Sequence, residues 1–244
     1  MTAATLGGWR FRPGAPLTVL AGMALVVLLG LGFWQLQRLS WKTALIREME
    51  AGLAAPPLEL AAAPADEGAL AYRRARVRGV LRGELSFAFG LRREQGRPGY
   101  KLITPLELDG GVYLLVDRGW FPDTTPPDRL PARFRTQAPA RLEGVLVPLA
   151  PFRPASFTPS PDQAARRLYA LDRASLQGWL GISLLPVLLM AEQSEPEDLL
   201  GVARVELRLP ENPHLGYAIT WFGLAGALGV FYVLMGLRRG EAAS

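Results

Sequence analysis

Charged residues are absent from two long stretches of the chain and alternate with apolar ones through most of the rest. None occurs from Pro13 to Gln37, a run of 25 residues, or from Asn212 to Leu237, a run of 26. Each run reaches the roughly 20 apolar residues that carry a helix across a hydrocarbon core. Both are rich in Leu, Val, Ala and Gly, and they predict two transmembrane helices. The first should extend from about Pro16 to Leu36. Trp34 falls near its end and Trp41 just beyond, at the depth where indoles gather. Gly223, Ala225, Ala227 and Gly229, and more loosely Gly22, Gly30 and Gly32, suit close helix packing. They leave open whether the partner is the other span or another protein.

Between the runs the period changes. Leu36, Leu39, Leu45 and Ile46 oppose Arg38, Lys42 and Arg47, so a helix with one apolar side should continue out of the membrane. Residues 51–69 carry Pro56, Pro57 and Pro64 and read as a linker. Period-two segments follow, as in Tyr72 to Arg82, where Arg74, Arg76 and Arg78 share one face. Glu84 to Leu91 is a second candidate strand. Tyr100 to Leu108 and Val112 to Val116 flank Asp109-Gly110-Gly111 and predict a hairpin. Pro105 within it predicts a bulge or an edge. Arg141 to Leu149, Leu168 to Leu171, Leu184 to Ala191 and Val202 to Leu209 read as further strands. Asp172 should cap a short helix through Leu180, and 122–139 and 150–163 read as Pro-rich loops.

The expected fold is therefore a membrane protein whose two transmembrane α-helices flank a mostly-β, α+β domain outside the cytoplasm. The expected division is a tail 1–15, a span 16–37, a juxtamembrane helix and linker 38–69, a β-rich domain 70–211, a second span 212–237 and a tail 238–244. Only 12 residues precede the first apolar run, and no small-x-small cleavage site follows it, so it reads as a retained anchor of a bacterial inner-membrane protein. Arg10, Arg12, Arg238 and Arg239 place both ends in the cytoplasm and the central domain in the periplasm. Arg38, Lys42, Arg47, Arg204 and Arg208 weigh against this, but long translocated domains escape the rule.

Net charge is +5, yet the bases form no single block, so nucleic acid is not an expected partner; the lipid bilayer is. The chain has no cysteine and one histidine, His214. Disulfides, thiolate catalysis, thiolate metal sites and multi-histidine metal sites are thereby excluded.

His214 opens the second span. Asn212 is a good N-cap, and Pro213 suits the first helical position. On a helix His214, Tyr217, Ala218, Trp221, Ala225 and Leu228 share one face. One reading is a hydrated interfacial His with Tyr217 and Trp221 as belt aromatics. The other is a haem or metal ligand, with Trp221 roughly 10 Å deeper by helical rise. Asp117-Arg118-Gly119-Trp120 ends the hairpin. It reads as a packed Trp with Arg118 paired to Asp117, or else as an interface anchor. The Arg74, Arg76, Arg78 row reads as a solvated face, with lipid headgroups as the second reading.

Gly32-Phe33-Trp34-Gln35 with Arg38 and Trp41-Lys42 resembles the exit of the first span in the surfeit-locus family of cytochrome oxidase assembly factors. Tyr72-Arg73-Arg74, Gly99-Tyr100 with Thr104-Pro105-Leu106, and Val116 to Pro122 also resemble that family. So does Asn212-Pro213-His214-Leu215-Gly216-Tyr217-Ala218 with Trp221-Phe222. Asp117 departs from the family's usual Asn. The resemblance implies a non-enzymatic assembly factor for a haem–copper terminal oxidase that binds haem a. His214 would be the iron ligand, and Trp221 and Tyr217 would line the site. The implied partners are the largest oxidase subunit and a haem a synthase. The alternative is a membrane scaffold that stabilises oxidase intermediates without haem.

Overall fold

The computed structural model describes residues 5–6, 9–94, 96–149, 162, 166–195, 197, 199–200 and 209–239. In chain order the elements begin with β1 (Thr5–Leu6), β2 (Trp9–Phe11), α1 (Ala15–Ala54), β3 (Leu58–Leu60), β4 (Arg74–Arg82) and β5 (Phe87–Glu94). β6 (Arg97–Glu107), β7 (Val112–Pro122), β8 (Gln137–Pro148) and β9 (Arg167–Leu168) follow. The chain then forms α2 (Arg173–Leu180), β10 (Ser183–Glu195), α3 (His214–Gly236) and β11 (Leu237–Arg239). Two compact units result, Met1–Arg47 with Pro210–Ser244, and Glu48–Leu209.

In the first unit, α1 and α3 are, among the described residues, the two helices long and apolar enough to cross a membrane. Val26, Leu20, Phe33, Ile219, Phe231 and Met235 are among their many exposed apolar side chains. Water would penalise such surfaces heavily, whereas lipid would not. The 40 residues of α1 rise about 60 Å, twice a hydrocarbon core. Its apolar first half is the span, and the helix continues as its periodicity predicts. It stops just before Pro56-Pro57, where the residue ahead of a proline leaves the α region. Beyond the spans, β1, β2 and β11 pair as a small antiparallel sheet.

In the second unit the strand order is β3-β4-β8-β10-β7-β6-β5-β9. The sheet closes on itself, because Val80 and Leu81 of β4 also pair with Glu107 and Leu106 of β6. The result is a small barrel whose interior holds Val77, Leu81, Leu106, Leu114, Val116, Leu142, Leu146 and Leu189. Alternate residues of the same strands face outward. Leu115, Leu184 and Leu188 bury beneath α2 with Phe87 and Trp179. β7 is thus covered on both faces, which explains its unbroken apolar run. The Asp172 carboxylate caps α2, accepting from Ser175 N–H at 2.9 Å, and Gly181 ends it at φ +69°. Arg74, Arg76 and Arg78 lie exposed on one face of β4, as their period predicts. Arg74 pairs with Glu192 at 2.8 Å and Arg76 with Glu143 at 2.5 Å.

Several elements differ from the sequence expectation. Residues 51–69 are not simply a linker: α1 extends to Ala54, and β3 pairs in parallel with β4. Pro105 lies at neither an edge nor a bulge. β5 stops pairing with β6 at Ile103 and β4 begins at Leu106. The missing N–H therefore falls where one neighbour gives way to the other. Asp117 pairs with Lys101, not with Arg118. Arg118 is the fully buried member of that segment, its guanidinium 4.6 Å from the Phe134 ring centre, while Trp120 is half-buried. The expected strand Val202 to Leu209, all but its last residue, and most of the loop 150–163 lie outside the described residues.

Candidate functional site

The two spanning helices pack through a narrow antiparallel seam. On α1 the covered residues are Gly32 and Gln35, with Leu39 half-buried a turn beyond. On α3 they are Ala218 and Ala225, with His214, Trp221 and Phe222 half-buried. The spacings are helical, so each helix presents one stripe to the other and the rest of its surface to lipid. Small residues bring the backbones close. A side chain on Gly32 would strike the Phe222 ring, within 2.7 Å. Phe33 meets Phe222 edge-on at 5.4 Å.

Polar groups in this seam find each other. Thr18 and Tyr232 share a hydrogen bond of 2.9 Å between their hydroxyls near one end. Near the other, His214 Nδ1 lies 2.7 Å from Gln35 Oε1. Beyond it, the Asn212 amide donates to Thr43 Oγ1 at 3.1 Å and, at 3.4 Å, to the Leu39 carbonyl. Asn212 therefore does not cap α3 as its residue type predicts, and Pro213 takes the N-cap position without a side-chain bond. The Nδ2 group takes the cross-helix acceptors on Thr43 and Leu39, and the side chain so held does not bring Oδ1 to the α3 N–H groups. Asn212 Oδ1 remains buried without a partner.

Of the residues singled out in the sequence, His214 and Trp221 lie half-buried on α3, and Tyr217 is 55% exposed. Gln35, only 8% exposed, completes the arrangement from the opposite helix. Sequence reasoning passed over its contact with His214. The available signal was its cost, since an amide inside an apolar span needs a partner, and the other span offers an imidazole at the same depth. Trp34 and Trp41 are exposed, and the Arg38 guanidinium stacks 4.6 Å from the Trp41 ring centre.

The chemistry available here is that of one imidazole, anchored through one nitrogen, beside a lipid-facing helix pair. Such a group can ligate an iron or donate a hydrogen bond. The chain's single histidine makes it a lone nitrogen donor and no multi-histidine site.

The two apolar helices and the barrel between them define a two-span membrane protein with an α+β domain. A sequence-family model described as the SURF1 family matches residues 22–226, and the chain belongs to that family. It is similar to a SURF1-like protein of Rickettsia bellii (strain RML369-C), 32% identical over 221 residues, covering 88% of this chain and 88% of that one. Surfeit locus protein 1 of Xenopus tropicalis is 29% identical over 233 residues, covering 88% of this chain and 74% of that one. Surfeit locus protein 1 of Mus musculus is 28% identical over 228 residues, covering 86% and 72%.

Proposed function

We propose that the protein is an assembly factor for a haem–copper terminal oxidase and that it carries haem a on His214, without catalysing a reaction. A general part in oxidase assembly is what membership of the family implies. The haem reading rests chiefly on one observation, the half-buried His214 held by Gln35 where α3 begins. The residues fit the group. Neutral imidazole commonly ligates haem iron, and a bound haem would supply an iron for His214 to hold. Trp221, half-buried about two turns along α3, offers a flat wall. Tyr217 offers an exposed phenol on the adjoining lipid side. An isoprenoid-tailed haem would partition into the same lipid. The orphaned Asn212 Oδ1 is a further polar atom beside the site, open to a donor.

In this reading the cofactor passes between a haem a synthase and the largest oxidase subunit, both partners lying in the same membrane. That membrane is a bacterial inner membrane, with the chain ends in the cytoplasm and the barrel in the periplasm.

The test is an optical spectrum of the detergent-purified protein from cells that make haem a, beside His214→Ala and Trp221→Phe. The expected result is a haem a band that disappears in His214→Ala while near-ultraviolet circular dichroism stays native. Haem unchanged in His214→Ala, or no haem in the unsubstituted protein, would overturn the ligand assignment and favour a haem-free scaffold.

A further inference from the structure

We infer that Gln35 is a positioning residue that fixes the single histidine as its Nδ1–H tautomer and so presents Nε2 as an open, ligating nitrogen. The inference deepens the haem reading and takes its ligand from it, but the tautomer itself can be tested without haem.

The geometry carries it. His214 Nδ1 lies 2.7 Å from Gln35 Oε1. A carbonyl oxygen only accepts, so the proton between them belongs to Nδ1. Neutral imidazole holds one N–H, and Nε2 is then a bare lone pair on the far side of the ring. In water a histidine side chain prefers the opposite tautomer, with the proton on Nε2. Without a partner at Nδ1, the outward nitrogen would mostly be blocked.

The helix pair is built to hold that partner still. Gln35 is nearly fully buried. About one turn earlier Gly32 lies under the Phe222 ring, and one turn later Leu39 accepts from the Asn212 amide. One contact reaches α3 and the other the residues just ahead of it, so the α1 backbone at Gln35 is held against the start of α3 and its amide stays within reach of the ring. Histidine ligands commonly donate their second N–H to a carboxylate or carbonyl, which fixes the ring and strengthens it as a donor. Here that partner comes from the other transmembrane helix. Ligand competence therefore depends on the two spans being correctly paired.

The experiment uses the full-length, haem-free protein in detergent, purified on a histidine-free tag and labelled with [15N]histidine. One imidazole is present, so two nitrogen signals report its tautomer directly. The expected spectrum shows a protonated Nδ1 and an unprotonated Nε2. Gln35→Leu should return the ring toward Nε2–H and weaken haem a binding roughly 10–100-fold. Gln35→Glu, which keeps an acceptor, should hold the Nδ1–H form and most of the affinity. Circular dichroism of each variant separates these effects from misfolding. A protonated Nε2 in the unsubstituted protein would overturn the inference, as would a tautomer and haem affinity unchanged in Gln35→Leu. A confirmed Nδ1–H ring in a protein that binds no haem would uphold the role of Gln35 and remove the haem reading alone.

Discussion

Asp117 shows how a charge is housed in this barrel. Its carboxylate is almost fully buried, ion-paired with Lys101, and accepts from Gly119 N–H at 3.0 Å. Gly119 makes that bond at φ +108°, where a side chain would also strike the Leu200 carbonyl. Asp117→Ala should strand the Lys101 ammonium and cost about 3 kcal/mol, the low end for a broken buried pair because Lys101 retains some exposure. Asp117→Leu combined with Lys101→Met should recover most of that loss. Thermal unfolding in detergent of Asp117→Leu, Lys101→Met and the double variant measures the coupling. A second carboxylate works at the surface. Hydrogen bonds from the Ser175 hydroxyl and backbone N–H hold Asp172 below its ordinary pKa. A lowered folded-state pKa means stability that is present above the unfolded value and lost as pH falls through the folded one. Asp172→Ala should cost about 1 kcal/mol near neutrality. The difference from the unsubstituted protein should shrink as pH drops below roughly 3.9, as unfolding midpoints across acidic pH would show.

At the scale of elements, the helix seam is the feature most sensitive to bulk. A leucine at Gly32 would drive into Phe222, whereas a Cβ at Gly30 meets nothing within 4 Å. Gly32→Leu should therefore lower the unfolding midpoint and, by parting Gln35 from His214, the haem a content of purified protein. Gly30→Leu should change neither. The spans, most of the described strands and the α2 cap were legible in the sequence because each has a local cause: charge exclusion, period-two alternation, an Asp ahead of a helix. The pairing of the spans was not, because Leu and Val look alike on every side of a lipid-facing helix. Only the buried polar atoms break that symmetry, and their partners lie far off in sequence. The same holds for Asn212, drawn from its own helix to Thr43, and for Pro105, whose tolerance depends on where two neighbouring strands meet. Arg118 belongs with them. Residue type predicts exposure, but the Phe134 ring, Thr104 and the Arg133 carbonyl, the last two at 3.5 Å, line its enclosure.

At the scale of the molecule, each unit has its own cohesion. The barrel encloses a continuous apolar interior drawn from β4, β6, β7, β8 and β10, which is what independent folding requires. A fragment covering Glu48–Leu209 should fold alone, giving dispersed amide signals and a cooperative thermal transition. A collapsed spectrum without a transition would show that the barrel depends on the spans. The helix pair coheres differently, through bonds at two depths. Thr18–Tyr232 and Gln35–His214 are separated by nearly equal lengths on the two helices, about 17–18 residues or roughly 26 Å of rise. Sliding one helix along the other by a turn, about 5.4 Å, would break both bonds together and deprive the Tyr232 hydroxyl, the Gln35 amide and the His214 ring of these partners. The pair therefore has a fixed hydrophobic length, like a ruler pinned at both ends. In a thinner bilayer it must tilt as one body or deform the lipid around it. Membrane thickness would then set the angle at which the whole pair, His214 included, stands to the bilayer.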